Sequence, residues 1–468
     1  MTVSLARSRV VIAGVGGIGC PAAWALAEAG VGELVLVDPD TVALHNLPRQ
    51  VLFAPGDEGL PKVDAAARRL RRQHPGLHVR THHGALEGAS AAALLPGAQV
   101  LVDASDGAAA KDAINALAVQ HGLALVHAAG VRSEARLLDV PAGGRPCLAC
   151  LFGRLEGDDA ATCALLGVWN GTVGAAGMLA AAAVIRRLAH PRAPSQGYDV
   201  LDLGQRRWTR LQAAAREGCE ACAPGARPAV PVRRAPAIPT AAGPAPAGVL
   251  DLRLEHCPLN LLRARQHVEG APGAAFVTIW LGAEGAASVP EGLRALGHEV
   301  EVHEVAGAAL AVRARAVGAG AGARGGIEAL APAALERFAR QVVMPELGVE
   351  GQRRLLRARV RIAGPRLAAE AAQAYLQAAG VPDVQRADGP ALRGEVLGAR
   401  LACEAGLDAA GRACVGEAGL RPPDSSAAPD APHAMLLGVL LADALQRAVV
   451  LDGLPASLRA PGATARPA

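Results

Sequence analysis

The feature that most constrains the fold is a glycine-rich loop near the start of the sequence. Four glycines follow a short apolar run and open an Ala-rich segment: Gly14, Gly16, Gly17 and Gly19. This spacing lets backbone N–H groups and a helix N-terminus approach phosphates closely. Asp38 ends the next apolar run, where an acid binds a ribose hydroxyl in dinucleotide folds. The pattern predicts an α/β nucleotide-binding domain, for which an NAD-linked oxidoreductase is the default function.

The rest of the chain divides by composition. Apolar strands and Ala-rich helices alternate through residues 1–222, which predicts a parallel α/β sheet. Residues 223–248 are dominated by Pro and Ala and read as an extended linker. A small unit at residues 249–313 follows, then a Gly/Ala-rich linker at 314–332 and a final block at 333–468. The 468 residues therefore predict three domains, each able to bury a core.

Charge and composition exclude several classes of function. The net charge is +4, and acids are interspersed among the arginines, so no stripe suited to nucleic acid is expected. Two uncharged stretches, residues 10–27 and 160–185, are too rich in glycine to predict membrane spans. Nine cysteines without a recognisable signal peptide predict a reducing, cytoplasmic location.

An ordered series of motifs narrows the choice of chemistry. It consists of Asp38-Pro-Asp40, Asn46-Leu-Pro-Arg49-Gln, Pro61-Lys62, Asp103-Ala-Ser-Asp106 and two later Cys-x-x-Cys pairs. The series resembles the MoeB/ThiF/HesA family of ubiquitin-activating-enzyme-like adenylyltransferases over essentially all of residues 9–222. The resemblance implies a Rossmann-like ThiF-type domain that binds ATP and Mg²⁺ and activates the C-terminal carboxylate of a partner protein.

The resemblance also implies roles for individual residues. The four loop glycines, Asp38 and Asp40 would bind the nucleotide, with Asp38 on the ribose. Asn46, Arg49 and Lys62 would face the phosphates, and Asp106 would organise Mg²⁺. Such a set is chemically coherent, because the reaction must neutralise a triphosphate and align a carboxylate with its α-phosphate.

Lysine is rare enough in this chain to be informative. Lys62 and Lys111 are the only two lysines among 47 basic residues. A lysine retained at the phosphate position predicts that a compact point charge is needed there. For Lys111 a site role and a solvated helix-face charge are equally consistent with the sequence. Gly107 departs from the family, which usually has Asn after the magnesium-binding Asp.

The paired cysteines predict a structural zinc site. Cys147-x-x-Cys150 and Cys219-x-x-Cys222 supply four thiolates in the pattern typical of structural zinc. Two separate redox motifs are the alternative. In the family that the series resembles, the metal ties the end of the domain back to its body.

One cysteine outside these pairs is a candidate for covalent chemistry. Cys163 matches the crossover-loop cysteine of ThiF-like proteins, which in some relatives forms a covalent intermediate. A buried apolar cysteine is the alternative.

The small middle unit carries a second candidate thiol. Residues 249–313 read as strand, Cys-Pro, helix, strand, helix, strand, and resemble the TusA family of sulfur carriers. Cys257 would then be the reactive thiol at the start of a helix, where the dipole favours a thiolate. Asn260 stands in place of that family's second motif proline, and a purely structural α/β sandwich is the alternative.

The final block resembles a degenerate second copy of the first domain. The segment Arg337-Phe-Ala-Arg340-Gln matches an N-terminal family helix that the first domain lacks, and a strand follows at residues 359–364. After Gly364 the glycine loop is lost, so phosphate could not approach the backbone. In the family the arginine matching Arg340 reaches into the neighbouring subunit's ATP site. The sequence therefore predicts an internal pseudo-dimer, or a homodimer, in which Arg340 reaches into the ATP site of the other half or subunit.

These patterns together predict an adenylyltransferase for a separate ubiquitin-like sulfur carrier ending in Gly-Gly, with sulfur supplied by a cysteine desulfurase or another persulfide donor. A non-catalytic sulfur-relay scaffold and an NAD-dependent oxidoreductase are the alternatives. The pathway stays open among molybdopterin, thiamine, cysteine and secondary metabolites.

Overall fold

A computed structural model gives the chain as two compact units. The first contains Met1–Glu156, Trp169–Val232 and Arg354–Ala468, and the second contains Gly157–Val168 and Arg233–Arg353. The residues that the structure describes are 5–154, 167–195, 197–223, 225–226, 245–255, 259–271, 275–295, 297–303, 310–316, 330–344, 346–389, 391–396, 401–407, 413–417 and 431–450.

The first unit contains a sheet of eight strands. They are β1 (Arg9–Ala13), β2 (Glu33–Asp38), β3 (His78–His83), β4 (Val100–Asp103), β5 (Ala124–Val131), β6 (Glu134–Val140), β7 (Tyr198–Asp202) and β8 (Arg207–Leu211). Their order is β3-β2-β1-β4-β5-β6-β7-β8. Pairing is parallel from β3 to β5 and antiparallel from β5 to β8.

Helices connect these strands and cover the sheet. They are α1 (Gly19–Glu28), α2 (Lys62–Gln73), α3 (Gly88–Leu94), α4 (Ala108–Gln120), α5 (Leu148–Phe152) and α6 (Asn170–Ala189). The central strands β1, β2 and β4 are almost wholly buried, as parallel strands covered on both faces must be. Because β1 lies between β2 and β4, the sheet has a switch point where ligands bind in such folds. The predicted Rossmann-like α/β class is confirmed.

The C-terminal part of the first unit forms a second sheet. Its elements are β13 (Arg359–Gly364), α11 (Arg366–Ala378), β14 (Asp383–Asp388), β15 (Leu392–Val396), β16 (Leu401–Leu407), β17 (Ala413–Glu417) and α12 (Ala431–Val450). The order is β14-β13-β15-β16-β17. The β13-α11-β14 segment repeats the parallel β1-α1-β2 segment. The likeness ends at β15, which lies antiparallel beside β13 where β4 lies parallel beside β1. No second switch point therefore forms among the described strands.

Two long apolar helices join the two sheets into one unit. α6 packs on α1 and on α12, while α12 packs on α11 and α6, so these two helices form the contact between the two halves. Both helices are long and apolar enough to span a membrane. However, 78% of the most apolar stretch of α6 and 89% of that of α12 are buried inside the protein. α12 is buried along most of its length, because α6, α11 and β15 to β17 pack against it.

The contact between the halves is asymmetric in detail. A Cβ atom at Gly174 of α6 would lie 2.5 Å from the ring of Tyr375, which is fully buried on α11. A Cβ atom at Gly171 would lie 2.7 Å from Cβ of Asp443. The amide of Asn170 donates a 2.9 Å hydrogen bond to the carbonyl oxygen of Tyr375. Glycines on one helix thus accept larger side chains from the other half.

Asp443 is also the centre of a buried charge network. It is 0% exposed, and its Oδ2 accepts hydrogen bonds of 2.9 Å from both Arg206 and Arg447. Arg447 lies over the ring of Trp169 at 4.4 Å and donates to Ser133. Since Arg206, Trp169 and Ser133 belong to the first half, one carboxylate on α12 ties the two halves together.

The second unit contains a small α/β sandwich. Its elements are β9 (Val249–Leu252), α7 (Leu259–Glu269), β10 (Val277–Leu281), α8 (Ala283–Ala295), β11 (Glu299–His303) and β12 (Leu310–Arg315). The sheet order is β11-β12-β10-β9, with β9 and β10 parallel and the other pairs antiparallel. The predicted strands and helices are confirmed, and β12 extends the pattern by one strand. Two further helices follow in the chain, α9 (Pro332–Val342) and α10 (Gly348–Leu355).

Candidate nucleotide and metal sites

The glycine loop lies at the carboxyl end of β1, against the end of β4. Gly14 has φ +95°, and a Cβ atom there would lie 2.6 Å from the carbonyl oxygen of Ala104. A Cβ atom at Gly19, the first residue of α1, would collide with the carbonyl of Gly14. The tight turn therefore excludes side chains at these two positions and brings the loop backbone to the switch point.

Asp38 is held beside this loop by backbone donors. Its Oδ2 accepts a 2.6 Å hydrogen bond from the N–H of Val15, and its Oδ1 accepts one of 2.9 Å from the N–H of Asp40. The side chain is buried, and burial raises its pKa, although the charge of Lys62 and the two hydrogen bonds oppose the rise. The carboxylate is thus fixed in the position that the sequence predicts for a ribose-binding acid.

Lys62 lies at the start of α2 and points at the same acids. Its Nζ is 2.7 Å from Oδ2 of Asp40 and 4.0 Å from Oδ1 of Asp38, and its side chain is only 7% exposed. A buried ammonium needs such partners, because desolvating a charge is costly. Asp40 is 60% exposed on its side chain, so an incoming anion could share or replace this contact.

Asn46 and Arg49 form one unit beside the loop. Arg49 donates to the carbonyl of His45 at 2.8 Å and to Oδ1 of Asn46 at 3.2 Å. A Cβ atom at Gly17 would lie 3.5 Å from Cγ of Arg49, which places this arginine against the glycine loop. The structure therefore brings together the glycine loop, Asp38, Lys62 and Arg49, as the sequence predicts.

Asp106 lies in the turn between β4 and α4, at the same edge of the sheet. It is exposed, and no hydrogen bond to its carboxylate is found among the described residues. Lys111 Nζ donates a 2.9 Å hydrogen bond to the Asp106 carbonyl and is 8% exposed. The solvated alternative for Lys111 is therefore wrong. Gly107 caps α4, and a Cβ atom there would meet nothing within 4 Å.

The four paired cysteines converge on one point. The sulfur atoms lie within 4.8 Å of one another, with Cys150 and Cys222 3.4 Å apart and Cys147 and Cys219 3.8 Å apart. This convergence favours one four-thiolate site over two independent redox pairs. Burial raises the pKa of Cys147 to about 11. Burial also raises the pKa of Cys219, but hydrogen bonds from Cys222 and Ala221 outweigh it and bring that pKa to about 7.

Comparison with known proteins decides the family. The ThiF family model matches residues 2–221. The molybdopterin-synthase adenylyltransferase of Escherichia coli is 36% identical over 221 residues, covering 47% of this chain and 88% of the relative. The chain belongs to the ThiF family. The predicted class of enzyme, an adenylyltransferase, is confirmed by this relationship.

Other relatives cover the same part of this ThiF-family chain. The adenylyltransferase and sulfurtransferase MOCS3 of Bos taurus is 38% identical over 231 residues, which are 48% of this chain and 50% of that protein. Among solved structures, Escherichia coli MccB with ATP is 22% identical, with a TM-score of 0.41 over 47% of this chain and 68% of its own.

The structure does not test the roles of three further candidate residues. Cys163 and Cys257 lie outside the described residues. Arg340 lies on α9 in the second unit, and its Nε is buried without a hydrogen-bond partner among the described residues. The roles of all three remain predictions.

Sequence reasoning missed one buried pair near the ThiF-family nucleotide site. His127 on β5 and Asp103 on β4 are 4% and 0% exposed and lie side by side. The signal for this pair was a lone histidine inside an otherwise apolar strand. A histidine in that setting needs a buried polar partner, and the end of the adjoining strand supplied one.

Removal of metal provides a test of the cysteine cluster. We expect the purified protein to contain one zinc, and a chelator to lower its thermal unfolding midpoint by at least about 5 °C, because a structural metal contributes folding free energy directly. Atomic absorption and calorimetry measure both effects. Cys219→Ser should lose the metal, whereas Cys20→Ala, which changes a buried thiol elsewhere, should keep it. Metal-free wild-type protein with an unchanged midpoint would contradict the assignment.

Proposed function

We propose that this chain uses ATP to adenylylate the C-terminal carboxylate of a separate ubiquitin-like sulfur carrier ending in Gly-Gly. A carboxylate oxygen attacks the α-phosphorus, a new P–O bond forms, and pyrophosphate leaves. The observation that carries the proposal is the buried Lys62 beside Asp38 and Asp40 at the glycine loop. An oxidoreductase would need no such ammonium at this point, so the arrangement favours phosphate chemistry over hydride transfer.

Each side chain has a distinct task in this reaction. Asp38, already fixed by the N–H groups of Val15 and Asp40, accepts a hydrogen bond from a ribose hydroxyl. Lys62 and Arg49 offset the negative charge of the phosphates. Asn46 holds Arg49 in place by accepting one of its hydrogen bonds. The gain comes from donors that are positioned before the substrate arrives.

The residues present fit a magnesium ion. Mg²⁺ prefers carboxylate and phosphate oxygens and keeps several waters, so one protein carboxylate is enough at an ATP site. The exposed carboxylate of Asp106, at the edge where β1 and β4 end, meets this requirement. The ion would offset charge on the phosphates as pyrophosphate leaves.

Sulfur transfer is the second proposed step. The names of several relatives pair adenylyltransferase with sulfurtransferase activity. A persulfide on Cys257 or Cys163 would attack the acyl adenylate and release AMP. A second thiol would then cleave the resulting acyl disulfide and free the thiocarboxylate. The persulfide would come from a cysteine desulfurase or another donor, and the proposed location is the reducing cytoplasm, where thiols stay reduced.

We also propose that the two halves form an internal pseudo-dimer. The repeated βαβ segments and the packing of α6 on α12 support this. The second half has lost its own nucleotide loop, and its retained Arg340 would complete the ATP site. A non-catalytic scaffold is the second candidate, favoured by Gly107, which removes a polar side chain next to Asp106.

Pyrophosphate exchange tests the function. The Gly-Gly-ended ubiquitin-like proteins of the source organism, each with and without its last glycine, are incubated with enzyme, ATP and labelled pyrophosphate. We expect exchange with one intact carrier and none with its shortened form. Asp106→Ala should lower the rate by about 10²-fold or more. Absence of exchange in the wild type with every carrier would refute adenylylation and favour the scaffold.

A further inference from the structure

A buried histidine lies one strand away from the proposed magnesium-binding loop. His127 is paired in register with Asp103, the last residue of β4. Its Nδ1 is 2.7 Å from Oδ2 of Asp103, and both side chains are almost completely buried. An ionised carboxylate can only accept hydrogen bonds, so Nδ1 of His127 carries a proton and donates it to Asp103.

The other oxygen of Asp103 organises the turn that follows. Oδ1 accepts hydrogen bonds from the backbone N–H of Ser105 at 3.1 Å and from its hydroxyl at 2.6 Å. Burial raises the pKa of Asp103, but His127, Lys111 and Ser105 outweigh that effect and leave the pKa below its usual value. The carboxylate is therefore an anion with three donors, and its geometry is fully determined.

This network ends at the residue next to Asp106. Ser105 is held by Asp103 on one side of the turn, and the Asp106 carbonyl is held by Lys111 on the other. The carboxylate of Asp106 itself extends outward without a hydrogen bond among the described residues. Its position thus depends on the backbone of the turn, and that backbone depends on Asp103.

We propose that His127 is a positioning residue that holds the turn carrying Asp106 through Asp103 and Ser105. It touches neither nucleotide nor metal. Its contribution is to orient Asp103, so that the turn has one conformation before Mg²⁺ and nucleotide bind. The identity of the ligand, Mg²⁺ with nucleotide, rests on the proposed function. The hydrogen bonds that link His127, Asp103 and Ser105 do not depend on it.

Two substitutions separate positioning from packing. His127→Asn places an amide N–H close to the position of Nδ1 and keeps the donor. His127→Leu has similar bulk and removes it. Binding of a non-hydrolysable ATP analogue is measured by calorimetry with Mg²⁺ and with EDTA, alongside the thermal midpoint. We expect the Leu variant to weaken the Mg²⁺-dependent part of binding by about tenfold or more, and the Asn variant to recover most of it.

A variant nearer the surface guards against loss of folding. Ser105→Ala removes one hydrogen bond to Asp103 from a half-buried position, and we expect it to weaken Mg²⁺-dependent binding by about threefold. Hydrogen exchange of the turn amides should accelerate in the Leu variant without ligand. Equal binding by wild type and folded Leu variant, or equal loss in the Asn and Leu variants, would overturn the inference alone. A wild type with no Mg²⁺-dependent nucleotide binding would overturn the proposed function as well.

Discussion

Replacing Lys62 with alanine is expected to lower carrier-dependent pyrophosphate exchange by about 10²–10³-fold. The ammonium is 7% exposed and lies 2.7 Å from Asp40, beside a glycine loop shaped for phosphate. Without it, the triphosphate would face two carboxylates with one compensating charge fewer. The loss should fall on the rate at saturating ATP, because the charge is needed most as pyrophosphate departs.

Two matched variants define what Lys62 supplies. Lys62→Arg keeps the charge but replaces a compact ammonium with a planar fork, and we expect it to recover only part of the activity. Arg68→Ala removes an exposed cation from the same helix and should leave exchange unchanged. An alanine variant at position 62 that keeps exchange within threefold of the wild type would contradict the phosphate role.

The Lys62→Ala variant can also show whether Arg340 acts within its own chain or across a homodimer. An equal mixture of Lys62→Ala and Arg340→Ala chains is assayed after both have been dissociated and reassociated. If the arginine acts across a homodimer, roughly a quarter of the wild-type sites are restored, because half of the dimers are mixed and each has one complete site. If it acts within one chain, the mixture stays inactive. The internal pseudo-dimer predicts the second result.

Replacing Asp443 with leucine is expected to lower the free energy of unfolding of the first unit by about 3–5 kcal/mol. The carboxylate is completely buried, and it pairs with Arg206 from one half and Arg447 from the other. Its removal leaves two guanidinium groups in the interface without their anion. Because the desolvation cost remains while the attraction is lost, the penalty exceeds the value of an ordinary ion pair.

Denaturant titration followed by tryptophan fluorescence measures this effect, since Trp169 lies under Arg447 in the same interface. The matched control is Arg366→Ala. Arg366 pairs with Glu28 across the same two halves but is 63% exposed, so its loss should cost less than about 1 kcal/mol. An unfolding midpoint for the Asp443 variant that matches the control would show that the network contributes no stability.

The site was predictable where its residues follow strand ends. The glycine loop, Asp38 and Asp106 lie at or just beyond the carboxyl ends of β1, β2 and β4, and parallel pairing brings those ends together. The cysteine cluster was predictable for a different reason, because two Cys-x-x-Cys pairs are the typical pattern of a structural four-thiolate metal site.

Other contacts depend on packing that no local pattern encodes. Asp443 and Arg206 are 237 positions apart, and neither local sequence predicts that the two side chains form an ion pair. The burial of Lys111 depends on how α4 lies against the Asp106 turn. The second half begins as predicted with β13, but β15 then lies antiparallel to β13. The apolar pattern of a strand does not specify the direction of its pairing, so the sequence could not predict this difference.

The fit of Tyr375 against Gly174 has a consequence for how such an enzyme can evolve. In a symmetric homodimer every substitution appears in both subunits, so each contact between two different residues is formed twice, once on each side of the axis. In the internal pseudo-dimer that we propose, the two copies lie in one polypeptide and can differ in sequence, so such a contact needs to form only once. One half can then carry the bulky and charged side chains of the interface, and the other half the glycines that make room for them, without a change in the catalytic loop.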